Sequence, residues 1–430
     1  MDAATYQDYV NILHEELVPA MGCTEPIAIA YAAAVARQTL GRPAQRMEVE
    51  ASGNIIKNVK SVFVPNTGGL RGIPAAAAAG MAAGDPALEL EVLSSIGEEE
   101  QAAIRQYLAD TPIAVKLADS PFIFDIAIRA WAGEDSALVR IVNYHTNIVR
   151  VERNGQVLKE VEAQAAAEEG LTDKSVLTVE GILEFAREAA LADVEDAVGR
   201  QVRYNTAIAQ EGLRGDYGAN IGKVLLATYG DDVKIRAKAM AAAGSDARMN
   251  GCGLPVVIVS GSGNQGLTAS LPVVEYAKEL GADWETTLRA VLVSDLITIH
   301  LKAEIGRLSA YCGAVSAGCG SGAGIAWLYG REKEPQALLK DVSHTIVNAL
   351  AVDSGIVCDG AKASCAAKIA SAVDAGLLGF YMYQNGQQFR GGDGIISKGV
   401  EETIRNIGLL ATQGMRETDR EILDIMTTRC

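Results

Sequence analysis

The spacing of apolar residues predicts two helices at the start of the chain. Over residues 4–18 apolar side chains recur at helical intervals, and Pro19 ends the pattern. A second helix is predicted to begin with Thr24 as its capping residue and to run through an alanine-rich stretch to Gly41. Cys23 therefore immediately precedes a helix N-terminus.

From about residue 46 to residue 158 the pattern changes to short runs in which apolar and polar residues alternate. Such runs, bounded by Gly, Asn and Pro, are typical of strands. They are RMEVEAS, VKSVFVP, PIAVKLAD, FIFDIAIRAWAG, ALVRIVNYH and NIVRVERNG. Helical segments are predicted between them at 74–84 and 97–109.

After about residue 160 the pattern is almost entirely helical and is broken by glycine-rich segments. The order of elements predicts an α+β fold, with a helix-rich catalytic body and a smaller inserted domain that contains a sheet. We divide the chain into N-terminal helices at 1–44, the sheet-containing domain at 45–160 and a helical, cluster-binding domain at 161–430.

The amino-acid composition limits the kinds of molecule that the protein is expected to bind. Of the 430 residues 49% are hydrophobic but only 5% aromatic, so small aliphatic side chains must fill the core. The net charge of −16 argues against nucleic acid or an anionic membrane as partner and favours a small-molecule substrate. The acidic N-terminus is unlike a signal peptide, and no long uncharged apolar run is present, which predicts a cytoplasmic protein with reduced thiols. A homodimer is one oligomeric state compatible with these features.

Three of the seven cysteines are grouped in segments of small residues. Cys312 lies in RLSAYCGAVSAG, and Cys358 and Cys365 lie in IVCDGAKASC. Seven residues on one continuous helix span about 10 Å, which is long for two ligands of one metal group. Asp359 and Gly360 resemble a helix start, so Cys358 is expected in a loop that folds back towards Cys365.

Soft thiolate ligands with few histidines favour an iron–sulfur cluster over a hard cation, and the spacing is not that of a zinc finger. The alternative is that each cysteine is a small buried apolar residue, which is our interpretation of Cys252 and Cys319. Cys23 is interpreted as a reactive thiol, because a helix N-terminus lowers a thiol pKa.

The segment SGSGNQG at 260–266 follows an apolar, strand-like run and precedes a helix. Its backbone N–H groups and the side chains of Ser260, Ser262 and Asn264 could bind a carboxylate or a phosphate. It has neither the Walker A lysine nor the dinucleotide-binding spacing. The alternative is a tight turn that is rich in glycine for backbone reasons alone.

These segments together resemble the L-cysteine desulfidase family, which is related to the iron–sulfur L-serine dehydratase α-chain. The resemblance runs from about Tyr6 to Met426. It rests on GCTEPIAIAYAAAVA, SGNIIKN, NYHTNIV, QEGLRGDYGANIGK, SDARM, SGSGNQGLTASLPVV, RLSAYCG and CDGAKASC.

The resemblance implies a [4Fe–4S] cluster held by Cys312, Cys358 and Cys365, with one iron open to substrate, and a catalytic role for Cys23. The implied reaction is β-elimination of sulfide from L-cysteine, which yields pyruvate and ammonia. In it the Cys23 thiolate removes the Cα proton as general base. The substrate carboxylate is expected at Ser260, Ser262, Asn264, Asn54 and Thr67.

Three other functions compete with this one. An L-serine dehydratase would use the same cluster with hydroxide as leaving group. A pyridoxal-phosphate lyase would need a Schiff-base lysine, for which Lys223, Lys302 and Lys368 are candidates. A metal-binding protein without activity is the third alternative. The final residue, Cys430, either covers the open iron until substrate displaces it or is a frayed end, and we favour the frayed end.

Overall fold

Helices make up most of the protein in the computed structural model, which describes residues 1–164 and 171–428. The α-helices are α1 (Ala3–Glu16), α2 (Thr24–Leu40), α3 (Gly53–Val59), α4 (Gly72–Ala83), α5 (Glu98–Asp110), α6 (Val179–Glu188), α7 (Leu191–Arg214), α8 (Ile221–Tyr229), α9 (Val233–Met249), α10 (Gly263–Glu279), α11 (Trp284–Ile305), α12 (Gly313–Gly330), α13 (Pro335–Val352), α14 (Cys365–Gln384), α15 (Val400–Leu409) and α16 (Arg416–Thr428). The predicted helices at 4–18, 24–41, 74–84 and 97–109 correspond to α1, α2, α4 and α5. Cys430 lies outside the described residues.

The strands form two sheets. They are β1 (Pro19–Met21), β2 (Arg46–Ala51), β3 (Ile113–Leu117), β4 (Asp125–Ala132), β5 (Asp135–Val142), β6 (Ile148–Arg153), β7 (Gln156–Glu160) and β8 (Pro255–Val257). The larger sheet has the order β3-β2-β4-β5-β6-β7, and only its β2–β3 pair is parallel. Strands β1 and β8 form a separate antiparallel pair. This architecture confirms the predicted α+β class.

The sheet is covered by α2, whose alanine-rich surface contacts β4 and β5. Five of the six predicted strands are present, but the prediction for VKSVFVP was wrong. That segment follows α3 as an irregular turn with a single bridge between Phe63 and Arg71. Val62 and Val64 are buried, so the alternating pattern reflects core packing rather than pairing with the sheet.

In the helical body α12 and α14 pack with their backbones in close contact. A side chain on Gly318 would overlap the carbonyl of Ala372, and one on Gly376 would overlap the carbonyl of Gly318. A side chain on Gly322, farther along α12, would overlap the backbone of Gly376, farther along α14. The contacts therefore advance in the same direction along both helices. The N-termini of α12 and α14 therefore lie at the same end of the body.

Helix α14 is long and apolar enough to cross a membrane by length and composition. It instead packs against α9, α12 and α13, as the core helix of a soluble protein does.

The C-terminal segment packs against the sheet-containing part of the protein. Helix α15 continues into a π-helical segment, Leu410–Gly414, and then into α16. Helix α16 contacts α3, where the Lys57 ammonium pairs with the Asp419 carboxylate and Leu423 lies against Gly53. The last helix therefore covers the segment SGNIIKN.

Candidate functional site

The three grouped cysteines lie close together at the N-termini of α12 and α14. A short antiparallel pairing holds two of them, since Cys312 N–H donates to Ile356 O at 2.9 Å and Cys358 N–H donates to Ala310 O at 2.7 Å. The thiols of Cys312 and Cys358 are hydrogen-bonded, and Cys365 is within electrostatic range of both. Thiols from two separate segments thus converge on one end of the helical body.

The loop between Cys358 and Cys365 folds back as predicted, but the helix that follows it begins later than predicted. Helix α14 begins at Cys365 and not at Asp359, because the Asp359 carboxylate pairs with Lys362 and Lys368 instead of capping a helix. Gly360 has φ 91°, a left-handed conformation that suits glycine and turns the chain between the two cysteines.

Positive charge surrounds Cys358. The hydrogen bond from Cys312 lowers the Cys358 pKa to about 6 against the effect of burial, with help from the Lys57 and Lys362 ammonium groups. Lys57 also lies 3.4 Å from the Cys358 carbonyl oxygen. A thiolate is the form of cysteine that binds metal, so this environment suits a soft-metal ligand.

These thiols fit a group larger than one ion. In residues 1–164 and 171–428, no set of three His, Cys, Asp or Glu side chains converges tightly enough to hold a single metal ion. Cys312, Cys358 and Cys365 nevertheless form one neighbourhood. Neighbouring thiolates are soft ligands of the kind that iron–sulfur clusters use.

Cys23 lies near these three thiols, although it belongs to the N-terminal part of the chain. Cys23, and not Thr24 as predicted, is the N-cap residue of α2. The Thr24 hydroxyl instead donates to Gly261 O at 2.9 Å. The buried Cys23 side chain packs with Met249 and Cys365. The predicted reactive thiol and one predicted cluster ligand are therefore neighbours.

The predicted lowering of the Cys23 pKa was wrong. Burial and the Glu25 carboxylate raise the Cys23 pKa well above its ordinary value, and Arg248 only partly opposes them. The Cys23 thiol donates to Glu25 Oε2 at 3.0 Å. Burial disfavours the charged form of Glu25, but His145, the Cys23 thiol and Arg248 outweigh it and lower the Glu25 pKa. The free protein thus holds a neutral thiol against an ionised carboxylate.

Several buried polar atoms around Cys23 and the three thiols have no hydrogen-bond partner among the described residues. Such atoms are rare in protein interiors and mark places where a ligand or water supplies the partner. They are Asn54 Oδ1, Asn58 Oδ1, His145 Nε2, Arg248 Nε, Asn264 Oδ1 and Gln265 Oε1.

Contacts connect these atoms to the thiols. Asn58 donates to Glu25 Oε1 at 2.9 Å, and Asn264 Nδ2 lies 3.5 Å from the sulfur of Met249. Gln265 lies against Gly313, the residue after Cys312. The unpaired atoms therefore belong to the same site as the thiols.

Arg248 is the most unusual of these residues. It is 2% exposed, and in the described part of the chain its guanidinium forms no ion pair with a carboxylate. By contrast, Arg307, which lies near the same glycine-rich loop, pairs with buried Glu16 at 2.7 Å. A buried charge without a partner is costly, so Arg248 is suited to an anionic ligand.

The predicted carboxylate-binding residues are distributed unevenly around the site. Asn54 and Ser260 line a cavity of 1560 Å³ that extends from the site between the sheet, α11 and α16. Ser262 caps α10 without a side-chain capping bond, and Asn264 lies in the first turn of that helix. The Thr67 hydroxyl donates to Val64 O and accepts from Leu70 N–H within its own turn, so its role in substrate binding stays a prediction.

Sequence reasoning missed five residues of the site. They are Glu25, Asn58, His145, Arg248 and Gln265. Each lies inside a motif of the family resemblance, and the available signal was a polar residue at a position that the surrounding pattern buries. Arg248, for example, lies in the last turn of α9, a helix rich in buried alanine.

His145 gives the site a measurable pH dependence. Burial, with help from Arg307 and Arg248 and against Glu25, lowers the His145 pKa from 6.5 to about 4. Between these values the unfolded chain binds a proton that the folded chain does not, so stability falls as pH falls. The free energy of unfolding should drop by about 2 kcal/mol between pH 7 and pH 5 from this residue alone. Urea unfolding of wild type and H145N at both pH values measures the difference.

The matched control for H145N is H14N, because His14 is exposed. H14N should keep the wild-type pH dependence, whereas H145N should lose about 2 kcal/mol of it. Equal pH dependence in wild type and H145N would show that folding does not lower the His145 pKa.

The fold and site define a class of protein: an α+β protein in which thiols and buried, unpaired polar atoms converge at one end of a helical body. The sequence profile described as serine dehydratase alpha chain matches residues 87–424. The chain therefore belongs to the serine dehydratase alpha chain family, which confirms the predicted relationship. Cys23 and Glu25 lie upstream of the matched residues.

Full-length relatives carry a less specific name. A UPF0597 protein of Desulfitobacterium hafniense (strain Y51) is 58% identical over 425 residues, which cover 99% of this chain and 97% of the relative. UPF0597 proteins of Lachnoclostridium phytofermentans and Treponema denticola are 52% and 45% identical, with coverage of 98% and 99% of this chain and 99% of each relative.

Proposed function

We propose that the protein is a lyase that eliminates sulfide from L-cysteine with the help of a [4Fe–4S] cluster. One observation carries the proposal: buried Glu25 and Arg248 carry opposite charges beside the Cys23 thiol, in the neighbourhood of three cysteine ligands. The sequence resemblance and the family membership support it. Because the thiols must stay reduced, we also place the protein in the cytoplasm.

Cys312, Cys358 and Cys365 would hold the cluster. Their convergence, the lowered Cys358 pKa and the surrounding unpaired polar atoms support this assignment. When bound, the cluster supplies a Lewis-acidic iron that polarises the bond between Cβ and the leaving sulfur. Lys57, Lys362 and Lys368 offset the negative charge of the thiolates.

Arg248 and Glu25 match the two charges of an amino acid. The substrate carboxylate pairs with the Arg248 guanidinium, which has no carboxylate partner among the described residues. The substrate ammonium group pairs with the Glu25 carboxylate, which Asn58 holds by a hydrogen bond of 2.9 Å. Asn264 and Gln265 supply unpaired amide oxygens nearby. Fixing both ends of the substrate orients its Cα–H bond.

Cys23 removes the Cα proton as a thiolate, and its own proton leaves by way of Glu25, which passes it to water and stays ionised beside the substrate ammonium. The Cys23–Glu25 hydrogen bond provides the path for that first transfer. The raised thiol pKa makes the thiolate a strong base, and the substrate ammonium adds a positive charge that favours its formation. A base that is formed only when substrate is present avoids the cost of a buried free thiolate.

Loss of the Cα proton is coupled to cleavage of the Cβ–S bond. The electron pair of the C–H bond forms the Cα–Cβ double bond, and the pair of the Cβ–S bond leaves with sulfur as sulfide. Aminoacrylate then tautomerises to an imine, which water hydrolyses to pyruvate and ammonia. No oxidant or reductant is consumed.

An L-serine dehydratase is the second candidate, because the matching family profile carries that name. It would use the same residues with hydroxide as leaving group. A pyridoxal-phosphate lyase has less support, because the ammonium groups of Lys223, Lys302 and Lys368 each donate to a backbone carbonyl. The Asp359 carboxylate also raises the Lys368 pKa against the effect of burial, which favours the charged amine over the free amine that a Schiff base needs.

The decisive test uses protein purified without oxygen. Iron and acid-labile sulfide are counted, and kcat/KM is measured for L-cysteine and L-serine through pyruvate release. We expect about four irons and four sulfides per chain, the composition of one [4Fe–4S] cluster. We also expect kcat/KM to be at least about 100-fold higher for L-cysteine, equivalent to about 2.7 kcal/mol. C358A should lose iron and turnover together, since it removes a cluster ligand.

Each other outcome has a distinct meaning. A higher kcat/KM for L-serine would replace the desulfidase with the dehydratase. A stoichiometric aldehyde cofactor without iron would favour the pyridoxal-phosphate lyase. Full iron content in C358A would contradict the ligand assignment.

A further inference from the structure

A second cavity lies at the start of α15, and the proposed reaction does not use it. Its volume is 620 Å³, within the range of about 300–1000 Å³ that is typical of small-ligand pockets. It is bounded by α13, by the start of α6 and by the loop that precedes α15. We call it the cationic cleft, after Lys340, Arg390 and Lys398 in its lining.

The positive charges of the cleft are not neutralised by the protein. In the described part of the chain, Lys340, Arg390 and Lys398 form no ion pair with a carboxylate. Two acidic residues also line the cleft: Glu180 accepts from Gln336 Nε2 at 3.4 Å, and Glu401 accepts from Val179 N–H at 2.8 Å and pairs with His300 at 2.7 Å. Three uncompensated cations in one concave surface stand out on a chain whose net charge is −16.

The rest of the lining suits a small organic anion. Leu339, Val347 and Phe389 supply apolar surface, and Ser343 supplies a hydroxyl. The loop is held in place, because Phe389 N–H donates to Asn348 Oδ1 at 2.9 Å. The cations therefore project from a defined scaffold, with room for both a charged and an apolar part of a ligand.

The first turns of two helices also open into the cleft. Residues 178–180 begin α6 and residues 399–401 begin α15. Gly399, which caps α15, has no side chain that could occupy this space. The dipoles of these helices add to the attraction that the cationic side chains exert on an anion.

We propose that the cationic cleft is a second ligand site, which binds a small carboxylate or phosphate through Lys340, Arg390 and Lys398. The proposal does not depend on the reaction at the thiol-lined site. Glu401 borders both cavities, so the ligand would lie beside the Glu401–His300 pair that lines the larger cavity.

Isothermal titration calorimetry with inorganic phosphate, and separately with succinate, tests the proposal on the complete protein. We expect at least one of the two anions to bind with a Kd below about 1 mM, equivalent to about −4 kcal/mol. The double variant R390Q/K398Q should weaken that binding at least tenfold. The control K159Q changes an exposed lysine on strand β7 and should bind as wild type does.

A further variant separates the two sites. R248M should retain the binding, because Arg248 does not line the cleft. Binding that disappears in R248M but persists in R390Q/K398Q would move the anion to the thiol-lined site and overturn the proposal. So would the absence of binding by both anions in wild type. Phosphate binding without succinate binding, or the reverse, would identify the ligand class.

Discussion

C23A should lose turnover on L-cysteine by at least about 1000-fold while keeping its full iron content. General bases contribute about 100- to 10,000-fold, and no other thiol contacts both Glu25 and the cluster cysteines in the described structure. The variant leaves Cys312, Cys358 and Cys365 in place, so the visible absorption of the cluster should not change. Pyruvate release and an anaerobic spectrum on the same sample measure both quantities.

The matched control for C23A is C319A. Cys319 is also buried, but it lies within α12 and belongs to the packing of the helical body. C319A should keep its turnover and lose only a little stability. E25Q should also be strongly impaired, because it removes both the proton acceptor and the partner of the substrate ammonium. Turnover by C23A near the wild-type rate would eliminate Cys23 as the base.

R248M should reduce kcat/KM for L-cysteine by about 100- to 1000-fold without lowering the stability of the folded protein. Truncating one partner of a buried, hydrogen-bonded charge pair costs about 2–5 kcal/mol in binding. Stability should change little, because Arg248 forms no direct ion pair with a carboxylate within the described residues and lowers the Glu25 pKa less than His145 or Cys23 does. Kinetics and urea unfolding of the same variant measure the two effects.

Cysteamine, which resembles L-cysteine without the carboxylate, sharpens this test. Wild type should bind L-cysteine much more tightly than cysteamine, as measured by competition, and R248M should lose that preference. The control R236M changes an arginine on the same helix that pairs with Glu279 at the surface. A loss of stability in R248M, with the preference for L-cysteine intact, would assign Arg248 a structural role instead.

Local pattern predicted the elements whose ends are determined by nearby residues. Helix α2 was recognisable because alanine-rich periodicity stops at Gly41, which takes the left-handed conformation with φ 79°. The strand, turn and helix around SGSGNQG were also recognisable, because the residues that determine their ends lie next to them in the sequence. The segment VKSVFVP was misassigned because buried Val62 and Val64 give an alternating pattern that does not reveal whether a partner strand exists.

The site was predictable only where chemistry is visible in the residue type itself. Cysteines attract attention in any sequence, so the three thiols and Cys23 were identified. Arg248 and His145 come from a helix and a loop far apart in the chain, and only the tertiary fold brings them near Glu25. The Cys23 pKa depends on burial and on the Glu25 side chain, and these outweigh the helix N-terminus that the sequence made obvious.

The pairing of β1 with β8 has a consequence for how the protein is made. Strand β1 immediately precedes Gly22 and Cys23, but its partner β8 lies in the second half of the chain, followed by all three cluster cysteines. Ribosomes extend the chain from the N-terminus at about 5–20 residues per second, so Cys23 emerges long before the residues that enclose it. If the protein carries the proposed cluster, insertion acts on the nearly complete polypeptide, and a prematurely terminated chain would leave the Cys23 thiol exposed to oxidation.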